Sequence, residues 1–214
     1  MTPTSPAEYD AWYQTDRGRW IGETEFGVMM RLLSPREGET LLDVGSGTGY
    51  FTRRFAGAGL AAVGLERERA SVAYARRLAP GIPFLIGDAK SIPVRDSSFD
   101  HVVAVTSLCF VEEPARALGE LWRAARRAVL LGLLNRRSLL YLQKHEHGGY
   151  RGARWDTLRE IRVWAARLVP APDIVARSAV FMPSAGPLAR RVERLAPGFL
   201  PFGGFLAVCL TKSP

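Results

Sequence analysis

Three carboxylates, each at the end of a short apolar run, are the side chains of this sequence best spaced to act on one ligand. Asp43 lies in Thr40-Leu41-Leu42-Asp43-Val44, directly ahead of Gly45-Ser46-Gly47-Thr48-Gly49; Glu66 closes Ala61-Ala62-Val63-Gly64-Leu65; Asp88 follows Phe84-Leu85-Ile86-Gly87. A carboxylate at a strand end can accept both hydroxyl hydrogens of a ribose, which suits Glu66, or a hydrogen of an adenine amino group, which suits Asp88. Gly45, Gly47 and Gly49 let the backbone turn sharply and come close to a ligand without a Cβ in the way. The helix that follows presents free N–H groups and the positive end of its dipole, both favourable to a carboxylate. Asp43 argues against a pyrophosphate, which it would repel, and for an ammonium or sulfonium, which it would attract. The dinucleotide spacing G-x-G-x-x-G also fails, because Tyr50 stands where the third glycine belongs.

These residues need a scaffold that gathers strand ends. Thr40–Val44, Leu60–Leu65, Phe84–Ile86, His101–Val105 and Ala128–Leu134 are short apolar runs, expected to be buried on both faces as in a parallel sheet. Helical stretches alternate with them: one from Tyr50, one with Val72, Ala75 and Leu78 before the stop Pro80-Gly81, and one opened by Pro114 with Ala117, Leu118, Leu121 and Trp122 as its apolar stripe. Arg154–Leu168 reads as a further helix, and the β-like runs Ile174–Phe181 and Phe205–Leu210 end the chain. The pattern predicts an α/β fold built on a doubly wound, mostly parallel seven-stranded sheet. In such a sheet ligands sit beyond the carboxyl ends of the strands, where strand order reverses.

Three segments stand outside the alternation. Ala7–Leu33 is rich in aromatic residues and predicts one or two helices ahead of the sheet; Asn135–Ala153 is polar and reads as a mobile, lid-like insertion; Pro183–Gly204 holds a short helical candidate, Leu188–Leu195. Loops on a rigid scaffold are natural covers for a substrate.

The chain of 214 residues suits one domain, and its 47% hydrophobic and 23% charged residues are ordinary for a packed globular protein. The longest apolar run, Ala128–Leu134, is far too short to span a bilayer, and Met1–Asp10 lacks the pattern of a signal peptide. Cys109 and Cys209 match no zinc-ligand spacing. A cytoplasmic protein without a membrane span is therefore expected. The net charge of +8 raises nucleic acid as a partner, but it is almost all arginine scattered along helical stretches, as in Arg116, Arg123, Arg126 and Arg127, which favours solvated helix faces.

Taken in order, Leu41-Leu42-Asp43-Val44-Gly45-Ser46-Gly47-Thr48-Gly49-Tyr50-Phe51, Gly64-Leu65-Glu66, Gly87-Asp88-Ala89 with Ile92-Pro93, and Ser98-Phe99-Asp100 resemble the class I S-adenosylmethionine-dependent methyltransferases, in particular the small-molecule group that includes ubiquinone and menaquinone methyltransferases. The resemblance covers about Thr40–Asn135 and is loose beyond Tyr150. It implies a Rossmann-like methyltransferase fold, S-adenosylmethionine as methyl donor, S-adenosylhomocysteine as product and a small-molecule acceptor. It further implies that Gly45, Ser46 and Gly47 lie under the methionine part of the cofactor while Asp43 holds its amino group. Glu66 would bind the ribose, with Arg67 beside the adenosine; Asp88 and the Ala89 N–H would read the adenine; Thr106 and Ser107 would face the methionine portion. Tyr13, Arg17 or Arg19 could reach the cofactor from the aromatic N-terminal segment. On this reading residues 1–34 form a helical cover, 40–135 the cofactor-binding core, and 136–214 the substrate-side insertions and last two strands of a single domain, 1–214. One departure is visible: Arg126-Arg127 runs straight into the fifth strand without the family's glycine-containing loop, on the side of the sheet far from the expected site.

Methyl transfer from a sulfonium is an in-line displacement that depends chiefly on alignment in a dry site, so no catalytic motif is required. His145 and His147, in a polar loop, are expected to face solvent rather than serve as base or metal ligands; Cys109 is expected to be a small apolar wall residue; Trp155, Tyr150, Phe110 and Phe202 are candidates for an acceptor pocket or for core. The alternatives are an RNA methyltransferase, which lacks an Asn-Pro-Pro-Tyr type of strand end at Thr106-Ser107-Leu108-Cys109, and a cofactor-binding partner subunit without catalysis.

Overall fold

The alternating runs assemble, in a computed structural model describing residues 5–184 and 186–212, into one sheet flanked by helices on both faces. Residues 1–4, 185, 213 and 214 of the expected 1–214 domain lie outside the described residues. Two helices come first, α1 (Pro6–Trp12) and α2 (Asp16–Leu33); then β1 (Thr40–Val44), α3 (Tyr50–Gly57), β2 (Ala61–Glu66), α4 (Arg69–Leu78), β3 (Phe84–Ile86), β4 (Phe99–Val105), α5 (Pro114–Ala124), β5 (Ala125–Leu134), α6 (Leu139–Lys144), α7 (Leu158–Ala165), β6 (Asp173–Ala179), α8 (Pro187–Leu195) and β7 (Phe205–Thr211). The seven strands lie in the order β3-β2-β1-β4-β5-β7-β6, all parallel except β7, which runs antiparallel to both of its neighbours. Strand order reverses between β1 and β4, so the turns after them open a crevice at the carboxyl edge.

The period of two along each strand sorts side chains into two cores. Leu42, Val102, Val129, Leu131, Val208 and Leu210 face α5 and α7, whereas Leu41, Val103, Leu130, Ala207 and Cys209 face α2 and α3. Core strands are sealed as expected; β3 is not. It is one of the sheet's two edge strands, and Ile86 is accordingly 42% exposed.

Two further expectations need correction. Asn135–Ala153 is not a loose connection: it contains α6 and a 3-10 turn at Gly148–Tyr150, and Tyr141 and Tyr150 both pack on Trp155 with ring centroids 5.4 Å apart. The Asn135 amide anchors its start by donating to the Pro201 and Gly203 carbonyls, both at 2.8 Å. The helix expected from Arg154 begins instead at Leu158. Thr157 and Glu160 form a reciprocal capping box there, and Arg154 turns away to Asp156 and to the carbonyls of Leu108 and Val111.

The shortened α5–β5 connection is real and has a structural use. Arg126 pairs with Asp100 at 2.6 Å and Arg127 with Glu39, whose other oxygen meets the buried His101 at 2.7 Å. This network ties the amino ends of β1, β4 and β5 together.

Candidate active site

A cavity of about 550 Å³ lies at the carboxyl edge beside the β1–β4 crevice. Asp43, Gly45, Ser46, Gly47, Glu66, Arg67, Asp88, Ala89 and Thr106 all line it. The glycine turn is positioned by its own backbone: the N–H groups of Gly45 and Ser46 both donate to the Leu65 carbonyl, at 2.7 and 3.0 Å, docking the turn on β2. Gly45 has φ +74°, and a Cβ there would come 2.4 Å from the Ser107 Cβ. Gly47, at φ +53°, has no atom within 4 Å of the place a Cβ would take, so its backbone is bare toward the cavity. Ser46 presents backbone rather than hydroxyl, since its buried Oγ lies against Gly64 without a partner.

The Glu66 carboxylate, 9% exposed, already has work: one oxygen accepts the Gly47 N–H at 3.0 Å and the other the Glu68 N–H at 2.9 Å. Each oxygen keeps a further lone pair, so Glu66 both braces the turn and can accept from a ligand. Asp43 is 2% exposed and accepts from the Thr52 hydroxyl at 2.7 Å. Burial, with Glu66 adding repulsion, pushes its carboxyl up to about 7. A cation placed beside it would be strongly favoured over water.

Asp88 is exposed and accepts the Lys90 N–H at 2.7 Å through one oxygen. Its loop is held from below: Arg123 donates to the carbonyls of Ile92 and Val94 and pairs with Glu120 and Asp96. Thr106, at the end of β4, has φ +48°, a strained conformation for a β-branched residue, with its N–H on the Gly132 carbonyl at 2.7 Å. The Ser107 hydroxyl is taken by the Val44 carbonyl at 2.8 Å, so Ser107 buttresses β1 against β4. Arg67 is 71% exposed at the rim and approaches Glu68.

The N-terminal helices reach the site directly. Asp10 of α1 accepts from Thr48 at 3.2 Å and pairs with Arg53 at 2.6 Å, and Tyr13 stacks on Tyr50 with centroids 3.6 Å apart. The position that breaks the dinucleotide spacing is thus where the N-terminal segment packs on α3. Of Tyr13, Arg17 and Arg19, Tyr13 lines the cavity and the two arginines do not. Phe110 lines it as well, whereas Trp155 and Tyr150 belong to the α6 cluster and Phe202 is 56% exposed elsewhere. Cys109 is buried with its thiol pushed up to about 12 by burial, and it faces the Thr106 carbonyl rather than the cavity. His145 and His147 are exposed and away from it. No cluster of three or more potential metal ligands occurs among the described residues.

Sequence reasoning did not single out Tyr9 as a contact within the aromatic N-terminal segment; it lines the cavity, and its hydroxyl lies 3.4 Å from that of Tyr13.

Residues 42–131 match the protein family described as "Methyltransferase domain". A demethylmenaquinone methyltransferase of Renibacterium salmoninarum is 38% identical over 89 residues, which cover 42% of this chain and 38% of that protein. An uncharacterised protein of Mycobacterium tuberculosis is 30% identical, over 94% of this chain and 70% of its own length. Among solved structures, a SAM-dependent methyltransferase of Thermotoga maritima shares the fold with a TM-score of 0.73 at 24% identity, over 97% of this chain and 96% of that one. The strand order, the glycine turn and these matches agree, and the chain belongs to the class I S-adenosylmethionine-dependent methyltransferase family.

Proposed function

We propose that this protein transfers a methyl group from S-adenosylmethionine to a small-molecule acceptor, leaving S-adenosylhomocysteine. The observation that carries this reading is the convergence of Asp43, Glu66 and Asp88 on one cavity whose floor is the bare backbone of Gly47. The residues fit the cofactor chemically. Asp43 offers buried negative charge to an amino group, Glu66 offers acceptor lone pairs to ribose hydroxyls, and the second oxygen of Asp88, with the Ala89 N–H, suits an adenine edge. Gly45, Ser46 and Gly47 supply backbone to the methionine part, Thr106 faces it across the crevice, and Arg67 lies beside the adenosine.

When bound, the cofactor supplies an electrophilic methyl group on a sulfonium. The chain's own task is to align and to exclude water, and Tyr9 and Tyr13 provide the cover, tethered through Asp10 to Thr48 and Arg53. On this reading residues 1–34 act as that cover, 40–135 as the cofactor-binding core, and 136–214 as the substrate-side insertions and last two strands. Among the described residues no helix is long and apolar enough to cross a membrane. Two buried, unpaired cysteines support a reducing, cytoplasmic setting. Arg53, Arg123, Arg126, Arg127, Arg136 and Arg154 are committed to ion pairs within the fold and are not free for a phosphate backbone.

Calorimetry with S-adenosylmethionine, S-adenosylhomocysteine and NAD tests the reading. Micromolar-range binding of the first two and none of NAD is expected; the reverse order overturns it.

A further inference from the structure

The two segments that leave the strand–helix alternation late in the chain both hang from the carboxyl edge of the sheet. Residues 135–153 follow the end of β5, and residues 180–204 join the end of β6 to the start of β7. They are packed on each other: the Asn135 amide holds the Pro201 and Gly203 carbonyls, and a Cβ on Gly204 would meet Leu140 of α6 at 3.0 Å. With these anchors turned inward, other large side chains of the same segments are left bare. Leu139 and Leu142 of α6, Leu188 and Leu195 of α8, and Phe199 and Phe202 of the turn after it range from 42% exposed at Leu139 to 80% at Leu142. Apart from Leu78 and the cavity residue Phe110, these six are all the exposed leucines and phenylalanines among the described residues. Large apolar side chains gathered at one edge of a soluble fold mark a place of contact.

The charges of the same segments are almost all positive. Setting aside Arg136, which pairs with Glu160, they carry Arg137, Lys144, Arg151, Arg190, Arg191 and Arg194 against the acids Glu146 and Glu193. Glu193 is turned inward, accepting the Val180 and Phe181 N–H groups, both at 2.9 Å. Along α8 the arrangement is an ordered one. Ala189 and Glu193 face the protein, Leu188, Val192 and Leu195 form an apolar stripe beside them at i, i+4 and i+7, and the three arginines take the outer arc. Such a surface complements a partner that is at once apolar and anionic.

We propose that α6, α8 and the turn at 197–202 form a docking face for an anionic lipid bilayer. The leucine and phenylalanine tips enter the acyl boundary while the guanidiniums stay at the level of the lipid phosphates. Arginine stems are long enough to permit that division, because the charged head reaches past the apolar surface its stem covers. Nucleic acid would engage the arginines and leave the apolar tips in water. The helix lies on the membrane and does not cross it, since the nine residues of α8 span about 14 Å, roughly half the hydrocarbon thickness. Docking of this kind is independent of what the cavity binds.

The test is co-sedimentation of the full chain, without cofactor, with vesicles of phosphatidylcholine alone and of phosphatidylcholine and phosphatidylglycerol in equal parts, at about 0.15 M salt. Wild type is expected to bind the anionic vesicles at least about tenfold more tightly than the neutral ones. Leu188→Ser with Leu195→Ser should weaken that binding about tenfold, and Arg191→Gln with Arg194→Gln should reduce the preference for anionic vesicles by about the same factor. All four side chains are exposed, so circular dichroism and thermal unfolding of both variants should match wild type. Undetectable binding, or equal binding to the two vesicles, in wild type overturns the proposal whatever the variants do; a face reserved for a protein partner would give that result. Anionic binding that the leucine variant keeps in full overturns it as well, because charge alone, as at a nucleic-acid face, would then account for it.

Discussion

The acids at the two edges of the one sheet are treated in opposite ways. At the amino edge Glu39 sits between His101 and Arg127, and Asp100 between Arg126 and the Thr40 N–H and hydroxyl. Against the cost of burial, those partners hold both carboxyls below their ordinary values. At the carboxyl edge Asp43 and Glu66 accept only uncharged donors among the described residues, and burial drives Asp43 upward. Glu39 and Asp100 are neutralised within the fold, whereas Asp43 and Glu66 are left without a cationic partner among the described residues.

The difference can be broken most strongly at Glu66. Glu66→Ala removes the proposed ribose acceptor and also releases the Gly47 and Glu68 N–H groups, so calorimetry should show S-adenosylhomocysteine binding weakened by tenfold to a hundredfold, about 1.4–2.8 kcal/mol. Next comes pH. Asp43 is raised to about 7, so it holds a proton below that pH and must lose it to pair with the ligand's amino group. Affinity should therefore fall by up to about tenfold as pH drops from 8 to 6, and Asp43→Asn should flatten the profile. A steeper fall in the variant would assign the titration to another group.

The smallest effect is expected at the opposite edge. Asp100→Ala should cost about 1 kcal/mol in denaturant unfolding, a figure reduced because Arg126 is half exposed and screened, and should leave affinity for S-adenosylhomocysteine within twofold. Because its pKa is lowered by folding, the stability Asp100 contributes is present at neutral pH and lost as pH falls through the acid range. Loss of binding in this variant would erase the distinction between the edges.

Much of this was legible before the fold was known. The carboxylates at strand ends, the glycine turn and the alternation of strands and helices along the chain are local features, each written within a few neighbouring residues. What escaped was non-local. Tyr50 was read as a missing glycine, but only the fold shows Gly22 and Tyr13 packed against it. The polar stretch Asn135–Ala153 looked mobile because its anchors, Trp155 and the Pro201 and Gly203 carbonyls, are distant in sequence. Glu66 was legible as a carboxylate at a strand end, whereas its bond to the Gly47 N–H, across 19 residues, was not.

A crystal structure with S-adenosylhomocysteine bound tests the central claim most directly. The account predicts ribose hydroxyls within about 3 Å of the Glu66 carboxylate, the adenine amino group at Asp88, the amino-acid end over Gly47 beside Asp43, and the sulfur turned toward Tyr9 and Tyr13. A ligand seated elsewhere, or a ribose away from Glu66, would contradict it.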